Sequence, residues 1–142
     1  MEKLAGIIFK PDVYERDLRE KLLKEVKDFN LSIKEIFEIQ LGSKEIRLLY
    51  PDLITDRNIF INLENYFQRE KNELIIVSTP SVSRDLIKEL NIWKGSNLEK
   101  TGIRGKYLSE NLPRDSHIFM RENLLHTFDT YKSFVKFYNL YK

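Results

Sequence analysis

Two stretches of the chain are apolar almost without interruption: Leu4 to Phe9, with Gly6 inside it, and Leu74 to Val77 within Glu73 to Thr79. Short apolar runs without polar alternation predict strands buried on both faces. Leu31 to Leu41 is patterned differently. Leu31, Ile33, Phe37, Ile39 and Leu41 alternate with Ser32, Lys34, Glu38 and Gln40. That period of two predicts a long, half-buried antiparallel strand with the five apolar residues on one face. Helical spacing takes over at Leu18, Leu22, Leu23, Val26 and Phe29, and again at Val82, Leu86, Ile87 and Leu90. A last helix is predicted with Phe134, Tyr138 and Tyr141 along one stripe.

Boundary residues sharpen these elements. Pro11 ends the first strand, and Asp17 with Glu20 reads as a capping box for the helix after it. Ser43 is expected to cap a short helix through Tyr50, which Pro51 stops. Ile59 to Arg69 reads as another helix, carrying Phe60, Tyr66 and Phe67. Pro80 and Ser81 are expected to start the helix of Leu86, and Asp129 to cap the last one. From Trp93 to Leu112 the periodicity fails, and Gly95, Gly102 and Gly105 punctuate the stretch. His117 to Met120 is expected to begin the final strand. The order β-α-β-(αα)-β-α-loop-β-α predicts an α+β fold of the ferredoxin-like, split βαβ kind, an antiparallel sheet covered by helices. Residues 1–142 form a single domain on this reading.

Composition narrows the chemistry. The chain has 142 residues, is 42% apolar and 32% charged, and carries a formal charge of +2. These values suit a single globular domain and imply neither a nucleic-acid partner nor a membrane partner. There is no cysteine, which excludes disulfides, thiolate catalysis and Cys-based zinc sites. The opening residues reach Lys10 and Asp12 too soon for a signal peptide, so a cytoplasmic location is expected.

Three motifs remain for function. Asn123-Leu124-Leu125-His126-Thr127-Phe128-Asp129 contains one of the two histidines. A neutral imidazole is a usable nucleophile near neutral pH; a histidine after a strand is also often only structural. Lys10-Pro11-Asp12 offers a point charge to a phosphate or, equally, a turn. Gly102-Ile103-Arg104-Gly105 offers a guanidinium fork between glycines or a solvated surface loop. It is no Walker loop.

Together and in this order, the motifs resemble the nucleoside diphosphate kinase family. That family has a Lys-Pro-Asp motif after its first strand, an Ile-Arg-Gly after a glycine, and an Asn-x-x-His segment ending in aspartate. Arg16 and Leu18 also stand at the family's offset from the lysine. The resemblance implies transfer of the terminal phosphate of ATP or GTP to a nucleoside diphosphate in two half-reactions. His126 would carry the phosphoryl group. Lys10, Arg104 and Asn123 would bind phosphate or sugar oxygens, with Mg2+ held by the nucleotide phosphates rather than by the protein. Tyr50 resembles the tyrosine beside the histidine, Phe60 the phenylalanine that stacks on the base, and Ser96 the threonine on the phosphates. Arg84 and Lys88 are the candidates for a second phosphate-binding arginine, and Asp129, read first as a helix cap, is a further candidate for orienting the imidazole. Assembly into at least a dimer is expected on the same ground.

Departures from the pattern mark where the chemistry could differ. Where the family has glycine and serine after the histidine, this chain has Thr127 and Phe128. Phe137 stands where the family's last helix carries the glutamate that steadies the imidazole through that serine. The loop from Trp93 to Lys100 is shortened, and Leu108 to His117 reads as an insertion. An alternative therefore keeps the fold and changes the function, either to phosphate transfer onto a non-nucleotide acceptor or to nucleotide binding without turnover. A third reading, an RNA-binding domain on the same layout, fails on its aromatics, because Phe37 stands alone on the second strand.

Overall fold

The computed structural model describes residues 2–53, 56–109 and 123–142. Its core is one antiparallel sheet in the order β2-β3-β1-β4. The strands are β1 (Lys3–Phe9), β2 (Ser32–Ile39), β3 (Asn72–Thr79) and β4 (Leu125–Thr127). The helices are α1 (Pro11–Glu15), α2 (Arg19–Asp28), α3 (Ser43–Leu49), α4 (Arg57–Phe67), α5 (Leu86–Lys94), α6 (Gly102–Lys106) and α7 (Tyr131–Tyr138). A 3-10 turn, Pro51–Leu53, joins α3 towards α4.

The apolar runs predicted as strands are the two central ones, β1 and β3, paired from Lys3↔Thr79 to Phe9↔Glu73. Successive residues point to opposite faces, so each run feeds two cores. Ala5, Ile7, Phe9, Ile75 and Val77 pack under α2, α5 and α6 with Leu22, Val26, Leu90 and Ile103. Ile8, Leu74 and Ile76 pack under α3, α4 and α7 with Ile46, Leu63, Phe134 and Phe137. A Cβ at Gly6 would stand 2.8 Å from the Phe134 ring, so glycine is what lets α7 lie this close to β1.

The sheet corrects one reading of the pattern. A register shift between Ile33 and Glu35 inserts an extra residue in β2. Beyond this β-bulge, alternation changes faces. Leu31 and Ile33 join the first core, whereas Phe37, Ile39 and Leu41 join the second.

Helix starts differ from expectation in the same local way. Pro11 opens α1 at a first-turn position, where its missing N–H removes no helical bond. Asp17 has φ +54 and does not cap α2, which begins after Leu18. In α3 the cap is Gly42, whose N–H donates to the Glu45 carboxylate at 3.0 Å, and Ser43 is already helical. Asp56 caps α4, so that helix begins ahead of Ile59. Asp85 caps α5 by accepting from the Lys88 N–H at 3.2 Å, so the helix starts after the Pro80 segment. Thr130 rather than Asp129 caps α7, accepting from the Ser133 N–H at 3.0 Å. His117 to Met120, and most of the stretch read as inserted, lie outside the described residues.

Candidate active site

The site forms where the end of β1, the start of β4 and the C-terminal end of α5 meet. Its foundation is a turn. Leu124 has φ +73, a conformation that a leucine adopts only when its surroundings hold it there. The Leu125 N–H donates back to the Asn123 carbonyl at 2.9 Å, closing a γ-turn around Leu124. The Lys-Pro-Asp segment clamps it from the other side. The Lys10 N–H donates to the Leu124 carbonyl at 2.8 Å. Asp12 Oδ2 accepts the Leu124 N–H at 3.0 Å, and Oδ1 accepts the Tyr66 hydroxyl. Asp12 is thus a structural brace for the strand that carries His126.

Above this brace, polar side chains converge. Lys10 Nζ donates to Asn123 Oδ1 at 2.5 Å. Arg104 donates from Nε to the Asn123 carbonyl at 3.1 Å and from a terminal nitrogen to the Leu125 carbonyl at 2.7 Å. His126, opposite Ile8 on β1, is in T-shaped contact with two rings, Tyr50 at 5.3 Å and Phe128 at 5.3 Å between centroids. The Tyr50 hydroxyl is buried and has no hydrogen-bond partner among the described residues.

Electrostatics follow from this crowding. Burial, helped by the charges of Lys10, Lys94 and Arg104, holds the His126 imidazole well below its ordinary range. Burial and Arg104 lower Lys10, with Asp12 pulling the other way. Burial pushes Lys94 down to about 8, with Arg104 adding to it and Asp129 opposing it. Arg104 itself is pushed down to about 10 by burial. The Asp12 carboxyl is raised by burial against the opposing pull of Tyr66 and Lys10. Each cation is held down by withdrawal from water, and Arg104 bears on both lysines. The arrangement is therefore suited to an arriving polyanion, which would relieve all of them at once.

The sheet order and its helices match known structures over nearly their whole length. The kinase of Halobacterium salinarum, solved in complex with CDP, superposes with a TM-score of 0.76 over 100% of this chain and 88% of that one, at 14% identity. The Encephalitozoon cuniculi kinase gives 0.73 over 99% and 88%, at 16% identity. The Aquifex aeolicus kinase gives 0.71 over 96% and 92%, at 17% identity. All three are nucleoside diphosphate kinases. The fold is that of the nucleoside diphosphate kinases. No family model and no curated protein matches the sequence.

Within this kinase fold the sequence candidates separate into two groups. Lys10, Tyr50, Arg104, Asn123 and His126 come together. Asp129 lies at the rim, near enough to bear on Lys94. The others are placed elsewhere. Phe60 is buried in the second core, with the Arg47 guanidinium 5.3 Å above its ring. Arg84 is engaged by Glu89 at 2.8 Å and by the carbonyls of Phe29 and Asn30 at the end of α2. Lys88 is exposed on α5. Ser96 bridges to Thr101 in the turn before α6. The glycines around Arg104 serve that turn's own closure: Gly102 has φ +62, and a Cβ there would stand 2.7 Å from Gly95.

Two site residues escaped sequence reasoning. Asn91 on α5 uses its whole amide. Oδ1 accepts the Thr127 hydroxyl at 2.8 Å and Lys94 Nζ at 3.2 Å, while Nδ2 donates to the carbonyls of Ile87 at 2.8 Å and Phe128 at 3.0 Å. It bolts α5 to both residues after His126. The second is Lys94. Phe128 and Phe137, the residues at the departures from the family pattern, pack against each other at 5.6 Å.

Proposed function

We propose that this chain is a phosphotransferase that moves the terminal phosphate of a nucleoside triphosphate to a nucleoside diphosphate through phospho-His126. The observation that carries this reading is the placing of His126 against Tyr50 on the strand that Lys10 and Arg104 grip at Asn123 and Leu125, where burial and these cations hold its imidazole well below its ordinary range. A neutral imidazole is a nucleophile, and cations beside it stabilise the charge on a transferring phosphoryl group. In the first step a ring nitrogen of His126 attacks the γ-phosphorus. The bond to the β-phosphate oxygen breaks, and the diphosphate departs with that electron pair. In the second step a terminal oxygen of another diphosphate attacks the phosphohistidine, and the P–N bond breaks to restore the imidazole. Lys10, Arg104 and Asn123 bind phosphate oxygens, and the Tyr50 hydroxyl supplies a further polar contact.

Magnesium fits as part of the incoming nucleotide. Both Asp12 oxygens are engaged by Tyr66 and Leu124, and no group of three or more metal-binding side chains exists among the described residues. Bound to the phosphates, the ion neutralises part of their charge.

The test is incubation with γ-labelled ATP and magnesium, followed by addition of GDP. Label on the protein that is acid-labile, stable in base and chased onto GDP is expected. Label that forms but does not move to GDP or dADP would favour a non-nucleotide acceptor. ATP binding without label would favour a module that does not turn over. That second reading draws on His126 resting against the Phe128 ring, with Phe128 and Phe137 packed where the family has a Ser–Glu pair.

The pH profile gives a separate check. An unperturbed histidine protonates near pH 6.5, and His126 does so well below that. At limiting ATP, where the rate reports the free site, its phosphorylation rate should therefore stay level as pH falls from about 7.5 through about 6, where an ordinary histidine would lose most of its nucleophile. A decline centred near pH 6.5 in rapid-quench measurements would contradict this. The linked effect on stability has the opposite sense: below pH 6.5 the unfolded chain binds this proton and the folded one does not, so acid weakens the fold.

A further inference from the structure

We propose that Lys94 is a working phosphate ligand of this site, a third cation delivered from α5 and held by Asn91 against the strand of His126. The inference rests on the phosphotransfer reading and deepens it by naming a residue that none of the three motifs contains.

Lys94 is the last residue of α5, and Gly95 follows it with a carbonyl that accepts from Arg104 at 3.4 Å. The two cations therefore share one turn of backbone. The charge of Lys94 bears on both Lys10 and His126. The titratable groups near enough for its charge to bear on, or to bear on it, are Arg104, Lys10, His126 and Asp129. An ammonium has three donor positions. One meets Asn91 Oδ1 at 3.2 Å, and Lys94 forms no ion pair within 4 Å among the described residues. The remaining donors are available to a ligand.

Helix polarity alone explains a lysine in a last turn. It does not explain one that is half-buried beside two other cations, where repulsion and burial both oppose its charge. A bound polyphosphate would remove that opposition. The other cations near α5 do not compete for the role. Arg84 is engaged at the end of α2, and Lys88 lies on the exposed face.

The experiment compares Lys94→Met, Lys94→Arg and the unaltered chain. Binding of inorganic tripolyphosphate is measured by calorimetry over a range of salt, and His126 phosphorylation by rapid quench. Thermal melts confirm that each variant is folded. Lys94→Met is expected to bind tripolyphosphate about tenfold to a hundredfold more weakly, as for loss of one charge-assisted hydrogen bond. Its salt dependence should also be shallower. Lys94→Arg is expected to recover affinity to within about threefold, because a guanidinium also binds phosphate. Phosphorylation at low ATP should follow the same order. If Lys94→Met binds tripolyphosphate as the unaltered chain does, the role of Lys94 is overturned even where phosphorylation is intact. If Lys94→Met loses affinity but the unaltered chain forms no phosphohistidine, the ligand role stands and the phosphotransfer reading falls. If the unaltered chain does not bind tripolyphosphate, both fall.

Discussion

Changing His126 to alanine is expected to lower phosphoryl transfer on the order of 10⁴-fold and to remove the labelled phosphoenzyme, while the chain stays folded and still binds ATP. The loss should be this large because, among the described residues, the hydroxyls beside His126 are poor substitutes. The protein has no cysteine. The Thr127 hydroxyl is committed to Asn91, and burial raises the Tyr50 hydroxyl far above neutrality. ATP affinity should survive within about threefold, because Lys10, Arg104 and Asn123 keep their positions through backbone contacts that do not involve the imidazole. Stability should change little, since the lost ring contacts are offset by relief from burying an imidazole among cations. Rapid-quench labelling, calorimetry and a thermal melt check the three parts. Label persisting in the variant would place the phosphoryl group on another residue.

Asp12→Ala should have the largest effect on stability, about 3–5 kcal/mol. The cost does not come from an intrinsically favourable carboxylate, since burial raises the Asp12 carboxyl in spite of its partners. It comes from what removal leaves behind: a buried Lys10 without its countercharge, and a Tyr66 hydroxyl and a Leu124 N–H without the acceptor they share. For a domain of this size the melting temperature should fall by roughly 8–15 °C. Asp12→Asn keeps the shape, can accept the Leu124 N–H and can donate to the Tyr66 oxygen, which is an acceptor as well as a donor, so it should lose mainly the countercharge of Lys10 and melt between Asp12→Ala and the unaltered chain. Activity measured well below the melt should fall too, because the strained turn at Leu124 beneath His126 then keeps the Lys10 and Arg104 contacts to its carbonyls but loses the acceptor of the Leu124 N–H. A variant that melts within about 2 °C of the unaltered chain would refute the brace.

What the sequence discloses divides along physical lines. β1 and β3 are legible because their apolar runs have one explanation. The bulge in β2 is not, because the alternation on either side of it is regular, and only the pairing with β3 shows that Ile33 and Phe37 face different cores. The site shows the same division. Lys10, Arg104 and His126 are visible because backbone-constrained neighbours surround them: a proline, two glycines and an Asn-Leu-Leu turn. Lys94 and Asn91 are hidden because their role depends on α5 lying against β4. The available signal was a polar Asn91 beside the buried Leu90, followed three residues later by a lysine at the helix end. Phe60 has a setting that the pattern alone does not disclose. An aromatic at the expected place in the sequence is buried in the core and covered by Arg47.

The contact between Asp12 and Leu124 joins residues 112 positions apart. Bringing such distant pieces together costs about 4 kcal/mol in chain entropy before any bond rewards it. β4, only three residues long, adds little pairing of its own to help. Contacts of this separation slow folding, because the entropy of closing the loop is spent before the contact forms. The cations and the histidine therefore meet only once nearly all of the chain has been synthesised. A half-folded molecule would carry every motif without the assembled site.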